Sequence, residues 1–183
     1  MERFNELARF MGHVSNLKKT ERTGWVRRGI QNPESVADHS FRTALMAMVL
    51  SNKSDVNQNT VIKMALIHDL AESLVGDLTP FDTITPKEKS HLEEEAFKKL
   101  CSDIDNGDEL LGLFREYEEG ITPEARFTKR LDKLEMMFQA HEYNQDQPNV
   151  DLRSFWTHIQ TFDFGDLQET YNALEADHNK PHS

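Results

Sequence analysis

Ile67-His68-Asp69-Leu70-Ala71-Glu72 sets an imidazole beside a carboxylate, with a second carboxylate one helical turn further on. If the segment is helical, His68 and Asp69 point about 100° apart and Glu72 follows at i+4 and i+3, so all three share one face. The surrounding run from Val61 to Leu70 is nearly all apolar. An unpaired carboxylate buried there would be costly, so the acids call for a cation, a partner or a proton. Imidazole nitrogen with carboxylate oxygen suits a divalent ion such as Mn, Fe, Co, Zn or Ni. The alternative is a helix end whose acids face water, with His68 as a satisfied core residue. The hexapeptide alone leaves both open.

Two more residues extend the pattern. His39 lies in Val36-Ala37-Asp38-His39-Ser40, where a histidine at a helix start also serves as a cap or packing residue. Asp132 lies in Lys129-Arg130-Leu131-Asp132-Lys133-Leu134 and reads equally as an exposed acid paired with Lys129 or Lys133. Taken together, an H…HD…D series spread over three helices is a means of holding a metal inside a helical bundle. The remaining histidines, His13, His91, His141, His158, His178 and His182, stand outside this series. There is no Walker-type glycine loop and no Gly-x-Ser-x-Gly elbow, which leaves P-loop triphosphate hydrolysis and serine hydrolysis without support.

The elements that must position these groups are helical. Phe4, Leu7, Ala8, Met11 and Val14 fall at 3/4 spacing and predict an amphipathic helix ending near Lys19. Thr20 to Pro33 holds Thr-Gly and Asn-Pro breakers and reads as a loop. Ser35 or Asp38 can cap a helix that runs to about Asn52, and Asn57 or Asn59 opens the apolar helix through Leu70. Gly76-Asp77-Leu78-Thr79-Pro80 breaks it. Thr85-Pro86 starts a charged helix to Leu100, with proline at the favoured first position. Further helices are expected over Asp108–Glu119, from Thr122-Pro123 with Phe127, Leu131, Leu134, Met137 and Phe138 buried, over Phe155–Thr161 and over Leu167–Ala176. No period-two alternation suggests a strand. The expectation is an all-α single domain of about six to eight helices over residues 1–176, with 177–183 a frayed tail.

Composition bounds the function. At 183 residues the chain suits one domain with a real core. Its net charge of −11 argues against binding a nucleic-acid polymer, which needs a basic footprint. From Met1 to Gln31, however, seven Lys/Arg face three acids, so a small anion could be accepted locally. The longest apolar run, Ala44 to Leu50, is far short of a membrane span, and the first residues form no secretory signal. The single cysteine, Cys101, excludes an intramolecular disulfide and fits a reducing, cytoplasmic home.

The H…HD…D series resembles the HD-domain metal-dependent phosphohydrolases. Three strings narrow the resemblance to the 5'-deoxynucleotidase branch: Arg22-Thr23-Gly24-Trp25, Asn32-Pro33-Glu34-Ser35-Val36-Ala37-Asp38-His39-Ser40, and His68-Asp69-Leu70-Ala71-Glu72-Ser73-Leu74-Val75-Gly76-Asp77. It extends from about Arg9 to Tyr143. It implies His39, His68, Asp69 and Asp132 as ligands of one divalent ion (Mn, Co, Mg, Fe or Zn). Glu72 and Asp77 are implied to act at the reacting phosphate and, with the Leu78 carbonyl, to offer room for a second ion. Trp25 is implied to crowd the sugar 2' position. The arginine that orients phosphate is either Arg22 or Arg27, because Thr23-Gly24 separates residues that are adjacent in some relatives. The segment Asp77, Leu78, Thr79, Pro80 is implied to line the nucleotide pocket. A small nucleotide substrate and a homodimer complete the expectation. The rivals are an HD phosphohydrolase acting on (p)ppGpp, cyclic nucleotides or dNTPs, and a non-catalytic helical regulatory module.

Overall fold

The computed structural model describes residues 1–79, 82–102 and 104–180. It is all-α: among the described residues there are ten α-helices, and the only β-type pairing is an isolated antiparallel bridge between Glu21 and Ser35. In chain order they are α1 Glu2–Val14, α2 Thr23–Arg28, α3 Val36–Leu50, α4 Gln58–Ile67, α5 Glu72–Val75, α6 Pro86–Cys101, α7 Gly107–Glu119, α8 Pro123–Asp146, α9 Arg153–Ile159 and α10 Gln168–His178. Short 3-10 turns at Ser15–Lys18, Ser51–Lys53 and Gly165–Leu167 flank α1, α3 and α10.

The helix starts follow their capping chemistry. Ser35 caps α3, its hydroxyl accepting from the Asp38 amide at 3.2 Å while Asp38 Oδ2 accepts from the Ser35 amide at 2.9 Å. Asn57 caps α4, and Thr85-Pro86 and Thr122-Pro123 open α6 and α8 with the hydroxyl as cap and proline in the first turn.

Eight of the ten helices match the sequence expectation, and α2 and α5 are additional. The span Thr20–Pro33 is not all loop, because Trp25 is drawn into the core at 2 % exposure, stacked on Phe155 and edge-on to Tyr143. Gly29, at φ 78°, ends α2 in the left-handed conformation that glycine adopts without strain. The apolar run through Leu70 is not one helix either. After Ile67 the chain tightens into i→i+3 turns, Leu70 N to Ile67 O at 2.9 Å and Glu72 N to Asp69 O at 3.0 Å, which lead into α5. At the other end α10 continues to His178, two residues into the predicted frayed tail, because the His178 ring stacks on Trp156 at 3.8 Å between centroids.

Helix α8 runs through the middle of the bundle and packs on α3, α4 and α7. Two apolar clusters meet around it. One joins Ala44, Ala47, Val61, Ala65, Phe127, Leu131, Leu134 and Met137 to α9 and α10; the other joins Val36, Ile67 and Leu70 to Phe97, Leu100 and Phe114. Both α3 and α4 pass from one cluster to the other along their length, and the change falls beside His39 on α3 and His68 after α4. The polar centre therefore sits in the seam between two apolar clusters. Among the described residues no helix is long and apolar enough to cross a membrane.

Candidate metal centre

His39 occupies the first turn of α3 and is fully buried. Its Nε2 lies 3.2 Å from Asp132 Oδ1 and 3.8 Å from Asp69 Oδ2, while its Nδ1 is 2.5 Å from Glu135 Oε2. His68, in the turn after α4, has Nδ1 2.9 Å from the Ala65 carbonyl and Nε2 3.2 Å from Asp69 Oδ2. The His39 and His68 rings stand 5.4 Å apart at 65°. Three segments distant in sequence, α3, the α4–α5 turn and α8, thus bring together the four residues expected as ligands. His39, His68 and Asp69 each place a donor atom within 4.8 Å of the other two, and Asp132 joins through His39.

The donor set fits a divalent ion. A carbonyl can only accept, so His68 Nδ1 carries a proton toward Ala65, and Nε2 is left with a bare lone pair. Both Nε2 atoms are buried and neither makes a hydrogen bond. Two unsatisfied imidazole nitrogens facing two carboxylates would be costly unless something bridges them. Donor atoms sharing an ion with bonds of about 2.1 Å sit roughly 3–3.5 Å apart, close to the 3.2 Å spacings here.

Charges around the centre are strongly coupled. Burial raises the Asp69 carboxyl, but His68, Arg22 and His39 outweigh it and hold Asp69 well below the usual carboxylate range. Asp132 is likewise held low, burial being overcome by Lys133, His39 and His68. Burial and the Arg22 charge push His39 down, yet Asp132 and Glu135 prevail and carry it up to about 9. A cation entering the site would displace the proton these carboxylates draw onto the ring. Glu72, also buried and with an unpaired oxygen, is pushed well above its ordinary value by burial and by the charges of Asp69 and Asp77.

The other expected residues separate into near and far. Arg22 Nη1 donates to Asp69 Oδ2 at 3.2 Å, which puts that arginine at the centre. Arg27 instead reaches Asp82, at 2.7 Å, out on the surface. Asp77 accepts the Thr23 amide at 2.6 Å on Oδ2 and the Thr23 hydroxyl at 2.8 Å on its carbonyl, tying the segment after α5 to the start of α2. The Leu78 carbonyl already accepts from Lys89 Nζ at 2.6 Å. Thr79 donates its amide and hydroxyl to Asp82 Oδ2. Pro80 lies outside the described residues. The Trp25 indole donates Nε1 to Glu34 at 2.8 Å, so little of its surface is left for a ligand.

Sequence reasoning missed Glu135, Arg42, Glu34 and Lys89. A signal existed for one of them: Glu135 follows Asp132 at i+3 and so shares its face. Lys89 also ion-pairs with Glu93 at 3.4 Å. Burial pushes the Glu93 carboxyl from 4.5 up to about 7 against the pull of Lys89. A raised folded value means stability that is full below pH 4.5 and lost as pH rises through about 7. We expect Glu93→Gln to remove on the order of 2 kcal/mol of that fall, read from urea midpoints across the pH range. The fall shrinks rather than vanishes, because Glu34 and Glu72 shift the same way. An unchanged pH profile in the variant would refute the assignment.

Comparison with known proteins places the chain in a class. The HD domain family model matches residues 14–170, and the chain belongs to the HD-domain family. Among its relatives, a Danio rerio protein named 5'-deoxynucleotidase HDDC2 is 43 % identical over 143 residues, covering 77 % of this chain and 71 % of that one. The Homo sapiens protein of the same name is 39 % identical over 177 residues, covering 96 % and 79 %. Among solved structures, the PH0347 protein of Pyrococcus horikoshii aligns with a TM-score of 0.76 at 31 % identity, covering 92 % of this chain and 98 % of that one. A protein from Magnetospirillum magnetotacticum, described as a predicted metal-dependent phosphohydrolase, aligns at 0.75 with 25 % identity, covering 97 % and 93 %.

Proposed function

We propose that this protein is a divalent-metal-dependent 5'-deoxynucleotidase that hydrolyses 2'-deoxyribonucleoside 5'-monophosphates to deoxynucleoside and phosphate. The observation that carries the reading is the buried quartet of His39, His68, Asp69 and Asp132, with both Nε2 atoms buried and without a hydrogen-bond partner. The names of relatives about 40 % identical over most of the chain supply the substrate class.

When bound, the ion supplies Lewis-acid polarisation of phosphate oxygens and activation of a water. The chain's own groups do the rest. Arg22, held beside Asp69, offers its remaining donors to the phosphate. Water attacks phosphorus in line and gives up a proton, the bond to the 5' oxygen breaks, and that oxygen receives the proton the water gave up as the nucleoside leaves. Glu72, buried beside the centre with one carboxyl oxygen unpaired, is our candidate to take the proton from the attacking water. Asp77, pinned by Thr23, would orient the sugar or the leaving oxygen. Trp25 would back the 2' position from behind the Glu34 contact. A single ion suffices for this scheme; a second at Glu72, Asp77 and Leu78 would share the Leu78 carbonyl with the Lys89 ammonium, whose charge opposes it. A homodimer is supported by the exposed stripe of Phe41, Leu45, Met48 and Val49 on α3, and a cytoplasmic home by the buried free thiol of Cys101.

The test is a panel of dNMPs, rNMPs, dNTPs and (p)ppGpp, each with Mn, Co or Mg and scored for phosphate or pyrophosphate. We expect phosphate from dNMPs, with a preference over rNMPs on the order of 10–100-fold that narrows in Trp25→Phe. Turnover of dNTPs or (p)ppGpp in place of dNMPs would overturn the reading in favour of its rivals.

A further inference from the structure

We propose that Glu135, braced by Arg42, is the positioning residue that holds His39 in the one tautomer able to bind the cation. This rests on the metal-centre reading above. Glu135 is completely buried on α8, and its Oε2 lies 2.5 Å from His39 Nδ1. A carboxylate accepts and does not donate, so the shared proton belongs to Nδ1. The neutral ring must then keep its lone pair on Nε2, the atom that faces Asp132 and Asp69. A carboxylate behind a ligating imidazole also raises the basicity of the coordinating nitrogen.

The same two helices supply both ligand and brace, each one turn apart. Helix α3 gives His39 and, at i+3, Arg42; α8 gives Asp132 and, at i+3, Glu135. Arg42 Nε stands 3.0 Å from Glu135 Oε1 as an ion pair without hydrogen-bond alignment. Its Nη atoms reach Glu142 at 2.8 and 2.9 Å, and Nη1 also bonds Gln139. Residues 135, 139 and 142 rise along one face of α8, so a single guanidinium fixes the register of α3 against α8 while neutralising a carboxylate that could not stay buried alone. His68 needs no such device, since its Nδ1 is fixed by the backbone carbonyl of Ala65. His39 has only a removable side chain.

Glu34, His39 and Glu135 also place donor atoms within 4.8 Å of one another. That group is the support rather than a second ion site. The Nδ1–Oε2 hydrogen bond fills the space an ion would need, and the Arg42 guanidinium already brings the positive charge.

The experiment is a titration of chelator-stripped protein with Co²⁺, followed by calorimetry, on wild type, Glu135→Ala, Glu135→Gln and the double variant Arg42→Met/Glu135→Met. Nitrogen-15 shifts of His39 in the stripped proteins, recorded above pH 9 where the ring is neutral, report the tautomer without any turnover. We expect Glu135→Ala to weaken Co²⁺ binding by about 10–100-fold and to lose the single Nδ1-protonated form. Glu135→Gln keeps most of the affinity, because its amide oxygen still accepts from Nδ1. The double variant removes the buried charges as a pair, so it supplies a folded sample should Glu135→Ala fail to fold, and it stays weak for Co²⁺. Wild-type affinity in a folded Glu135→Ala, or affinity recovered in the double variant, would reduce Glu135 to a packing role and overturn the proposal. A wild type that takes up no Co²⁺ would remove the metal reading itself, and this proposal with it.

Discussion

Asp69→Asn is expected to lower dNMP hydrolysis by on the order of 10³-fold or more, with bound metal falling in parallel. The substitution is isosteric, so the cause is chemical. Asp69 Oδ2 stands within 3.2 Å of His68 Nε2 and 3.8 Å of His39 Nε2, and it is the acceptor for Arg22. An amide brings no charge to a divalent ion and no counter-charge to the arginine beside it. The carboxyl is held well below the usual range, with burial opposing and His68, Arg22 and His39 prevailing, so wild type presents it ionised throughout the neutral range. Phosphate release, metal content by elemental analysis and a thermal melt on the same sample separate lost chemistry from lost folding. A folded variant with wild-type turnover would place the reaction elsewhere.

The largest effect on stability is expected at Leu131→Ala, at about 2–5 kcal/mol. Leu131 is fully buried in the cluster that joins α3, α4 and α8, one residue before Asp132. Its methyl groups fill space between helices that are already close-packed, and the bundle can relax into the vacated volume only by moving the helix that carries Asp132 and Glu135. The check is a urea unfolding curve, with the midpoint falling and the slope unchanged. A loss below about 1 kcal/mol would mean that α8 is less central than its packing indicates.

Much of this was legible in the residues. Ser35, Thr85-Pro86 and Thr122-Pro123 announce helix starts through local hydrogen bonding, which needs no tertiary partner. Periodic apolar residues then mark the buried faces of long helices such as α8. Helix α2 stayed hidden because its six residues are held by contacts distant in sequence: Trp25 against Phe155 and Tyr143, and Asp77 on the Thr23 amide. The end of α4 at Ile67 stayed hidden because nothing in the apolar run Val61–Leu70 punctuates it. His39, His68, Asp69 and Asp132 could be singled out by type and spacing. Spacing alone could not choose between Arg22 and Arg27, which sit five residues apart on one short segment and meet different partners, Asp69 and Asp82. Nor could it show Lys89 on the Leu78 carbonyl or Glu135 behind His39, since both depend on how helices dock.

The most direct measurement is anomalous diffraction from crystals of the chelator-stripped protein reloaded with Mn²⁺. The expected result is one strong peak bonded at about 2.1 Å to Nε2 of His39, Nε2 of His68 and oxygens of Asp69 and Asp132. A peak on the Glu34–Glu135 side of His39, or a metal-loaded active protein with no density among those four residues, would contradict it.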